Sequence, residues 1–294
     1  SEPLISAIST DDLPSGDVTV QVEYSTINYK DSLALIKKTP IIRKFPMVPG
    51  IDLVGKVIES SNPRFVDDQK VLLNGWGVGE SHWGGYSQIA RVNSDWLIPL
   101  PNGMSSKTAM AIGTAGYTAM LSLIKLENHG IRPSDGKILV TGSSGGVGSF
   151  SIAILAANGF DVVASTGKKN EHQYLKKIGA KEIIDRSELC SEFKPLDKQN
   201  WVGAIDTVGG KILANVCATT KVDGAIAACG MAYGMNFSTT VAPFILRGIT
   251  LYGVNSVYVD SSIRIDTWNR LQNELPTKKI ESITSEYSLS DVVS

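Results

Sequence analysis

A glycine-rich turn at residues 140–149, Val-Thr-Gly-Ser-Ser-Gly-Gly-Val-Gly-Ser, constrains the fold of this chain more than any other segment. A strand candidate (137–141) precedes it, and a helical pattern (147–157) and a second strand candidate (160–165) follow. Glycines at 142, 145 and 148 allow a tight turn, close approach of a pyrophosphate and close packing of helix on strand. A lone glycine triplet is a weak signal, but this context predicts a dinucleotide site. Its contacts are predicted at Gly145, Gly146, Val147, Gly148 and Ser149, where the positive end of the helix dipole lies.

The strands around this turn predict an α/β fold with a doubly wound parallel sheet. They are apolar and rich in β-branched residues, as is typical of parallel strands covered on both faces. A complete doubly wound dinucleotide domain has six strands. Six candidates alternate with helical or loop segments, at 137–141, 160–165, 182–185, 202–207, 224–229 and 249–254.

The first hundred residues have a different pattern, typical of a β-rich domain. Residues 17–24 alternate apolar and polar side chains, and short β-type runs follow at 48–58 and 86–92. Pro99 and Pro101 end this region, and a helical stretch is predicted from Ser105 to Lys125. A length of 294 residues suits two domains.

Composition narrows the class of protein. Hydrophobic residues make up 43% and charged residues 19%, which is ordinary for a globular protein. The net charge of −1 favours neither nucleic acid nor a membrane surface as a partner. No stretch is expected to reach the run of about 20 apolar residues that spans a bilayer. Three widely spaced cysteines indicate a reducing compartment, and we expect a cytoplasmic protein.

The end of the second strand candidate predicts the choice of dinucleotide. NAD-binding chains place an acidic residue there for the adenosine ribose, whereas this chain has Ser165, Thr166, Gly167 and Lys168, followed by a second lysine. Hydroxyls and lysines suit a 2′-phosphate and hence NADPH, and Arg186 after the third strand is positioned to contact the same phosphate. The alternative is that the lysines are solvated residues of a loop.

No metal site is expected. His82, His129 and His172 lie far apart in the sequence and show no ligand spacing with one another or with a cysteine. Cys229 follows two alanines and is interpreted as a small buried residue at a strand end.

Several motifs together resemble the zinc-less medium-chain dehydrogenase/reductase superfamily, and within it the acryloyl-CoA reductase branch (YhdH/AcuI-type quinone oxidoreductases). The resemblance covers nearly the whole chain. It implies a GroES-like catalytic domain (1–104), a Rossmann NADP-binding domain (105–256) and a return to the catalytic domain (257–294) that is incomplete at its C-terminus. The matching segments are Ser25–Asp31, Pro49–Gly55, Gly75–Glu80, His82–Gly85, Ile112–Met120, Asp206–Gly210 and Pro243–Gly248.

The resemblance also implies the chemistry. Zinc-dependent relatives have a cysteine at the position of Asn28 and a histidine at that of Ile51, so this branch works without a metal. The implied reaction is NADPH-dependent reduction of an activated C=C bond, most simply acryloyl-CoA to propionyl-CoA. A quinone reductase is the closest alternative, and a non-catalytic NADPH-binding redox sensor is a second. A homodimer is implied, as are Met231, Ile245 and Ser256 near the nicotinamide half of the cofactor.

Three neighbouring residues are the catalytic candidates. Asn28 is predicted to cap a short helix, and Asp31 suits its first turn. Helix capping alone would explain Asn28 and Asp31, whereas capping gives no role to the Tyr29 side chain. By resemblance this segment borders the nicotinamide, so Tyr29 is the candidate donor of a proton or hydrogen bond to substrate. Asp52 either forms a structural ion pair or positions hydrogen-bond donors or the ribose. Arg247 either forms a local salt bridge or binds an anionic substrate.

Overall fold

The computed structural model describes residues 3–36 and 41–293. The chain forms two compact units. The first comprises residues 1–114, 256–272 and 284–294, and the second comprises residues 115–255 and 273–283. Both units are therefore assembled from segments that are not continuous in sequence.

The first unit is built on an antiparallel five-stranded sheet with the strand order β4-β1-β2-β3-β5. Apolar side chains of β1, β2 and β3, together with Phe65, form its core. Its elements are β1 (Val18–Tyr24), α1 (Tyr29–Leu35), β2 (Asp52–Ser60), β3 (Lys70–Asn74), β4 (Ile89–Val92) and β5 (Ile98–Pro99). Helix α8 (Ser261–Glu274) adds residues to this unit up to Gln272.

The second unit is built on a parallel six-stranded sheet with the order β11-β10-β9-β6-β7-β8. Counted from β6, this is the doubly wound order 3-2-1-4-5-6 read from the other edge, and it confirms the predicted fold class. Its elements are β6 (Lys137–Val140), α3 (Gly146–Ala157), β7 (Asp161–Thr166), α4 (His172–Ile178), β8 (Glu182–Asp185), α5 (Arg186–Cys190), β9 (Trp201–Asp206), α6 (Gly210–Thr219), β10 (Thr220–Ala228), α7 (Ala242–Leu246), β11 (Thr250–Gly253) and α9 (Thr277–Ile283).

Helix α2 (Ser106–His129) corrects one prediction from composition. An 18-residue window in it has a mean hydropathy of 1.3, so by length and composition this helix could cross a membrane, whereas no stretch of this kind was expected from the sequence. However, 72% of that window is buried, as in a core helix. The helix is also interrupted at Gly113, whose φ of +56° and ψ of −128° are not helical.

Candidate functional site

The glycine-rich turn joins β6 to α3 in the second unit. Gly142 has a φ of +57°, and a Cβ built there would lie 2.2 Å from Thr207 Oγ1. A Cβ at Gly148 would lie 2.3 Å from the carbonyl oxygen of Gly142. Both positions therefore exclude a side chain. Gly142 excludes it by its backbone conformation and by crowding, and Gly148 excludes it by crowding alone.

The start of α3 provides amides for an anion. Main-chain bonding in the helix begins with the Ser149 amide, which donates to the Gly145 carbonyl at 2.8 Å. The preceding amides, those of Gly146, Val147 and Gly148, are the ones that the helix itself does not satisfy. Gly145 and Gly146 are exposed, so a pyrophosphate can approach this backbone closely. The Ser149 hydroxyl is buried and donates to the Ser143 carbonyl, so both the hydroxyl and the amide of Ser149 bind within the protein, and its contact with the cofactor stays a prediction.

The end of β7 brings together the residues that were predicted to select the cofactor. Ser165 and Thr166 are buried, and Thr166 Oγ1 accepts the amide of Lys168 at 3.1 Å, which shapes the turn after the strand. Gly167 and Lys168 are exposed. The guanidinium of Arg186, the first residue of α5, lies 3.4 Å from where a Cβ on Gly167 would stand. A lysine and an arginine thus flank one exposed glycine.

A buried network that the sequence did not reveal fixes the strand ends beside this turn. Asp206, at the end of β9, accepts hydrogen bonds from Thr141 Oγ1 and from the Gly209 amide, both at 2.7 Å. Thr207 Oγ1 donates to the Thr141 carbonyl at 2.9 Å. Burial raises the pKa of Asp206. The network joins β6 to β9 and thereby supports Gly142.

The three residues expected near the nicotinamide lie on different elements of the two units. Met231 lies in the loop after β10 and is 63% exposed, and Ile245 lies on α7 and is 72% exposed. Ser256 is half-buried and belongs to the first unit. Their placement near a cofactor stays a prediction.

Asp52 is the centre of a buried polar cluster in the first unit. Its carboxylate is fully buried at the start of β2. Oδ2 accepts from Thr26 Oγ1 at 2.6 Å and from Asn28 Nδ2 at 3.0 Å, and Oδ1 accepts from Asn74 Nδ2 at 2.9 Å and from the Thr114 hydroxyl. These donors replace the hydration that a carboxylate loses on burial.

Asp31, a residue of α1, is a second buried carboxylate beside this cluster. It accepts the main-chain amide of Asn28 at 3.0 Å and that of Ile51 at 3.1 Å. Burial, followed by the negative charge of Asp52, raises the pKa of Asp31 from 3.8 to about 6. Asp31 therefore joins the first turn of α1 to the segment before β2. This is the position predicted for it, and Asn28 is the N-cap of α1, as predicted; the Nδ2 of Asn28 also donates to Asp52 and Thr26.

The raised pKa of Asp31 makes stability depend on pH. The folded state holds the proton more tightly than the unfolded chain, so the stabilising contribution is complete below about pH 4 and is lost as the pH rises through about 6. Relative to Asp31→Asn, the wild-type protein should lose about 3 kcal/mol of unfolding free energy across that interval. Urea unfolding of both proteins at several pH values in this range measures the difference, and a difference that does not change with pH would contradict the prediction.

Two tyrosines lie near these carboxylates. Tyr29 is close to Asp31 in sequence, and Tyr86 is close to Asp31 and Asp52 in the folded unit. Tyr29 begins α1 and is 67% exposed. Tyr86, which sequence analysis missed, is half-buried, and its hydroxyl donates to the Thr26 carbonyl at 2.9 Å. Burial and the charges of Asp31 and Asp52 raise the pKa of Tyr86. The Tyr86 hydroxyl is thus committed to the protein, whereas that of Tyr29 is accessible from solvent.

Asn74, at the end of β3, connects the Asp52 cluster to helix α8. Its Oδ1 accepts from Trp268 Nε1 at 3.1 Å, and its carbonyl accepts from Arg264 at 2.9 Å. Arg264 is fully buried, and its guanidinium lies 5.5 Å from the centre of the Trp76 ring. No local motif marks these contacts, because about 190 residues separate the partners in sequence.

The positions that would hold zinc in zinc-dependent relatives have other roles. The Asn28 side chain donates hydrogen bonds, and Ile51 is buried and apolar. His82 lies with its ring nitrogens 3.0 and 3.2 Å from the carbonyl oxygens of Trp83 and Ser15. Within residues 3–36 and 41–293, no three His, Cys, Asp or Glu side chains form a group that could hold a metal ion.

Arg247 and Cys229 have structural roles. Arg247 donates to the main-chain carbonyls of Ala218, Thr220 and Asp197, at 2.8, 3.0 and 2.5 Å. Burial, followed by the charge of Asp206, raises the pKa of Cys229 to about 12, so this thiol stays protonated.

Comparisons with known proteins agree with this architecture. Residues 14–102 match the alcohol dehydrogenase GroES-like domain family, and residues 146–272 match the zinc-binding dehydrogenase family. The acrylyl-CoA reductase AcuI of Ruegeria pomeroyi is 46% identical over 99% of this chain and 89% of the relative. A Bacillus subtilis protein named as a quinone oxidoreductase, YhfP, is 43% identical over 98% of this chain and 88% of its own length.

A solved structure is similar along the same length. The crystal structure of the yhdH oxidoreductase from Salmonella enterica, in complex with NADP, is 51% identical and superimposes with a TM-score of 0.97 over 98% of this chain and 89% of that one. The chain therefore belongs to the zinc-less medium-chain dehydrogenase/reductase superfamily.

Proposed function

We propose that this chain is a zinc-independent, NADPH-dependent reductase of C=C bonds conjugated to a carbonyl, and that it converts acryloyl-CoA to propionyl-CoA. The observation that carries the proposal is the 46% identity to an acrylyl-CoA reductase over 99% of this chain. The similarity to that relative supports the substrate class, and the described residues of each unit support the assignment of cofactor and proton-donor roles.

The residues of the second unit fit NADPH. Gly148 leaves no room for a side chain against Gly142, and the exposed backbone at Gly145 and Gly146 suits a pyrophosphate. Lys168 and Arg186, which flank Gly167, suit the 2′-phosphate. No acidic residue stands at the end of β7, where NAD-binding chains hold the ribose.

When bound, NADPH supplies the hydride that adds to the β-carbon of the unsaturated thioester. Negative charge then develops on the carbonyl oxygen, and the α-carbon requires a proton. We assign the donor role to Tyr29, whose side chain is exposed at the first position of α1. Asp31 holds the Asn28 amide, and Asn28 binds Asp52, so these residues fix the turn that presents Tyr29.

A quinone reductase and a non-catalytic NADPH-binding redox sensor are the rival functions. The similarity to YhfP favours the quinone reductase. Carbonyl groups withdraw electrons from a quinone as they do from an unsaturated thioester, so both can accept a hydride. Steady-state NADPH oxidation with acryloyl-CoA, crotonyl-CoA and a quinone in parallel discriminates among the three. We expect the highest kcat/KM with acryloyl-CoA and full activity after chelator treatment. A preference for the quinone, or no turnover with any acceptor, would favour a rival.

We also propose that the enzyme acts in the cytoplasm. The structure leaves Cys190, Cys217 and Cys229 as free thiols, which fits a reducing compartment.

We expect a homodimer formed through β11. This strand ends the parallel sheet and is hydrogen-bonded on one side to β10, so its other edge presents unpaired main-chain groups. Sedimentation at micromolar concentration should give twice the chain mass. The substitution Thr250→Lys would place a charge on this strand in both copies of the chain. It should shift the equilibrium from dimer toward monomer. A monomeric wild-type protein would contradict the prediction.

A further inference from the structure

The segment 41–46 presents two cations and an aromatic ring next to one another. Arg43, Lys44 and Phe45 are consecutive and exposed, and the Phe45 side chain is 65% exposed. Residues 41–51 contain no acidic side chain. An exposed phenylalanine keeps an apolar ring in contact with water and contributes nothing to the core. The arrangement is typical of surfaces that bind a base and its phosphates.

The main chain of this segment is held in place. The Arg43 amide donates to the Glu80 carbonyl at 2.8 Å, and Trp83 Nε1 donates to the Pro46 carbonyl at 3.0 Å. Further along, the Gly84 amide donates to the Val48 carbonyl at 2.7 Å. The three side chains therefore extend from a fixed backbone, which lowers the entropy lost when a ligand binds.

Glu80 also connects the segment to helix α1. Its carboxylate is paired with Lys30, which follows Tyr29. Lys30 therefore compensates the negative charge of Glu80. Glu80 thus connects α1, the helix of the proposed proton donor, to the basic segment. Its side chain binds Lys30, and its carbonyl accepts the Arg43 amide.

We propose that Arg43, Lys44 and Phe45 form a subsite for the 3′-phospho-ADP end of coenzyme A, with the cations on the phosphates and the ring stacked on adenine. The inference rests on the proposed function and deepens it, because it assigns residues that distinguish a coenzyme A thioester from a neutral quinone. The acyl-thioester end of the same substrate would then be presented to Tyr29.

The test compares substrates that do and do not carry the phosphates. Arg43→Ala/Lys44→Ala should lower kcat/KM for acryloyl-CoA about 100-fold, since each lost charge-assisted contact at an exposed site is worth about tenfold. With acryloyl-pantetheine, which lacks phosphate and adenine, kcat/KM should not change. Arg43→Lys/Lys44→Arg should restore most of the activity, and the exposed pair Lys194→Ala/Lys198→Ala is the matched control.

A binding measurement separates this proposal from the proposed function. Calorimetry should show that free coenzyme A binds the wild-type protein and binds Phe45→Leu about tenfold more weakly, with Phe45→Trp close to wild type. The NADPH dissociation constant should be the same in all variants. Equal losses with acryloyl-CoA and acryloyl-pantetheine, a parallel loss of NADPH binding, or no binding of coenzyme A to the wild type would each overturn the subsite. Failure to reduce acryloyl-CoA with coenzyme A binding intact would instead overturn the reaction.

Discussion

Replacing Tyr29 with phenylalanine is expected to lower kcat on acryloyl-CoA about 100-fold or more, with NADPH affinity unchanged. The substitution keeps the ring and removes only the hydroxyl. Tyr29 is 67% exposed at the first position of α1, so the loss of its hydroxyl should cost little stability. The effect should therefore appear in catalysis and not in folding.

Tyr86→Phe is the matched control for this experiment. It removes a hydroxyl that donates to the Thr26 carbonyl beside the same carboxylates. Its expected effect is a loss of about 1 kcal/mol in unfolding free energy, with a smaller change in kcat than Tyr29→Phe produces. Single-turnover kinetics and urea unfolding on both variants separate the two roles. If kcat of Tyr29→Phe equals that of wild type, solvent supplies the proton and Tyr29 only borders the substrate.

Replacing Lys168 with alanine is expected to weaken NADPH binding about 10- to 100-fold and to leave NADH binding nearly unchanged. The reason is the loss of one charge-assisted contact to the 2′-phosphate, worth about 1.5–3 kcal/mol. Arg186→Ala should have a similar effect, because the Arg186 guanidinium also lies beside Gly167.

Fluorescence titration with both cofactors measures these affinities. Lys176→Ala, on the exposed face of α4, is the control that removes an exposed lysine of the same unit. Raising the salt concentration should reduce the preference for NADPH in the wild type more than in Lys168→Ala. Equal losses for NADPH and NADH in Lys168→Ala would show that this residue does not contact the 2′-phosphate.

The secondary structure of the second unit could be predicted closely because its signals are local. All six strand candidates are strands, since each is a short apolar run bounded by turn residues. The largest difference is in β10, which begins at Thr220 instead of 224. A register shift between Thr220 and Ala225, with Asp223 at a φ of +55°, joins two strand segments that sequence periodicity treats separately.

The candidate site in the first unit could be predicted only in part. Asn28 and Asp31 share a helix turn and could be found by spacing. Thr26, Asn74 and Thr114 could not, because each reaches Asp52 across 22 to 62 residues of sequence. Gly113 had no signal of its own either: a Cβ there would lie 2.6 Å from Thr26 Cγ2 and 3.1 Å from Asp52 Oδ2, a requirement that exists only in the folded unit.

The contacts of helix α8 have a consequence for biosynthesis. Asn74 uses its carbonyl and its side-chain oxygen to bind Arg264 and Trp268, two fully buried residues. A nascent chain that ends at residue 255 already contains all the strands that the structure describes in both sheets but neither of these partners. Since domains fold as the ribosome releases them, the parallel sheet can form while the β-rich unit still lacks α8. The contacts of Asn74 with α8 would then form only after the parallel unit inserted within the β-rich unit has been synthesised.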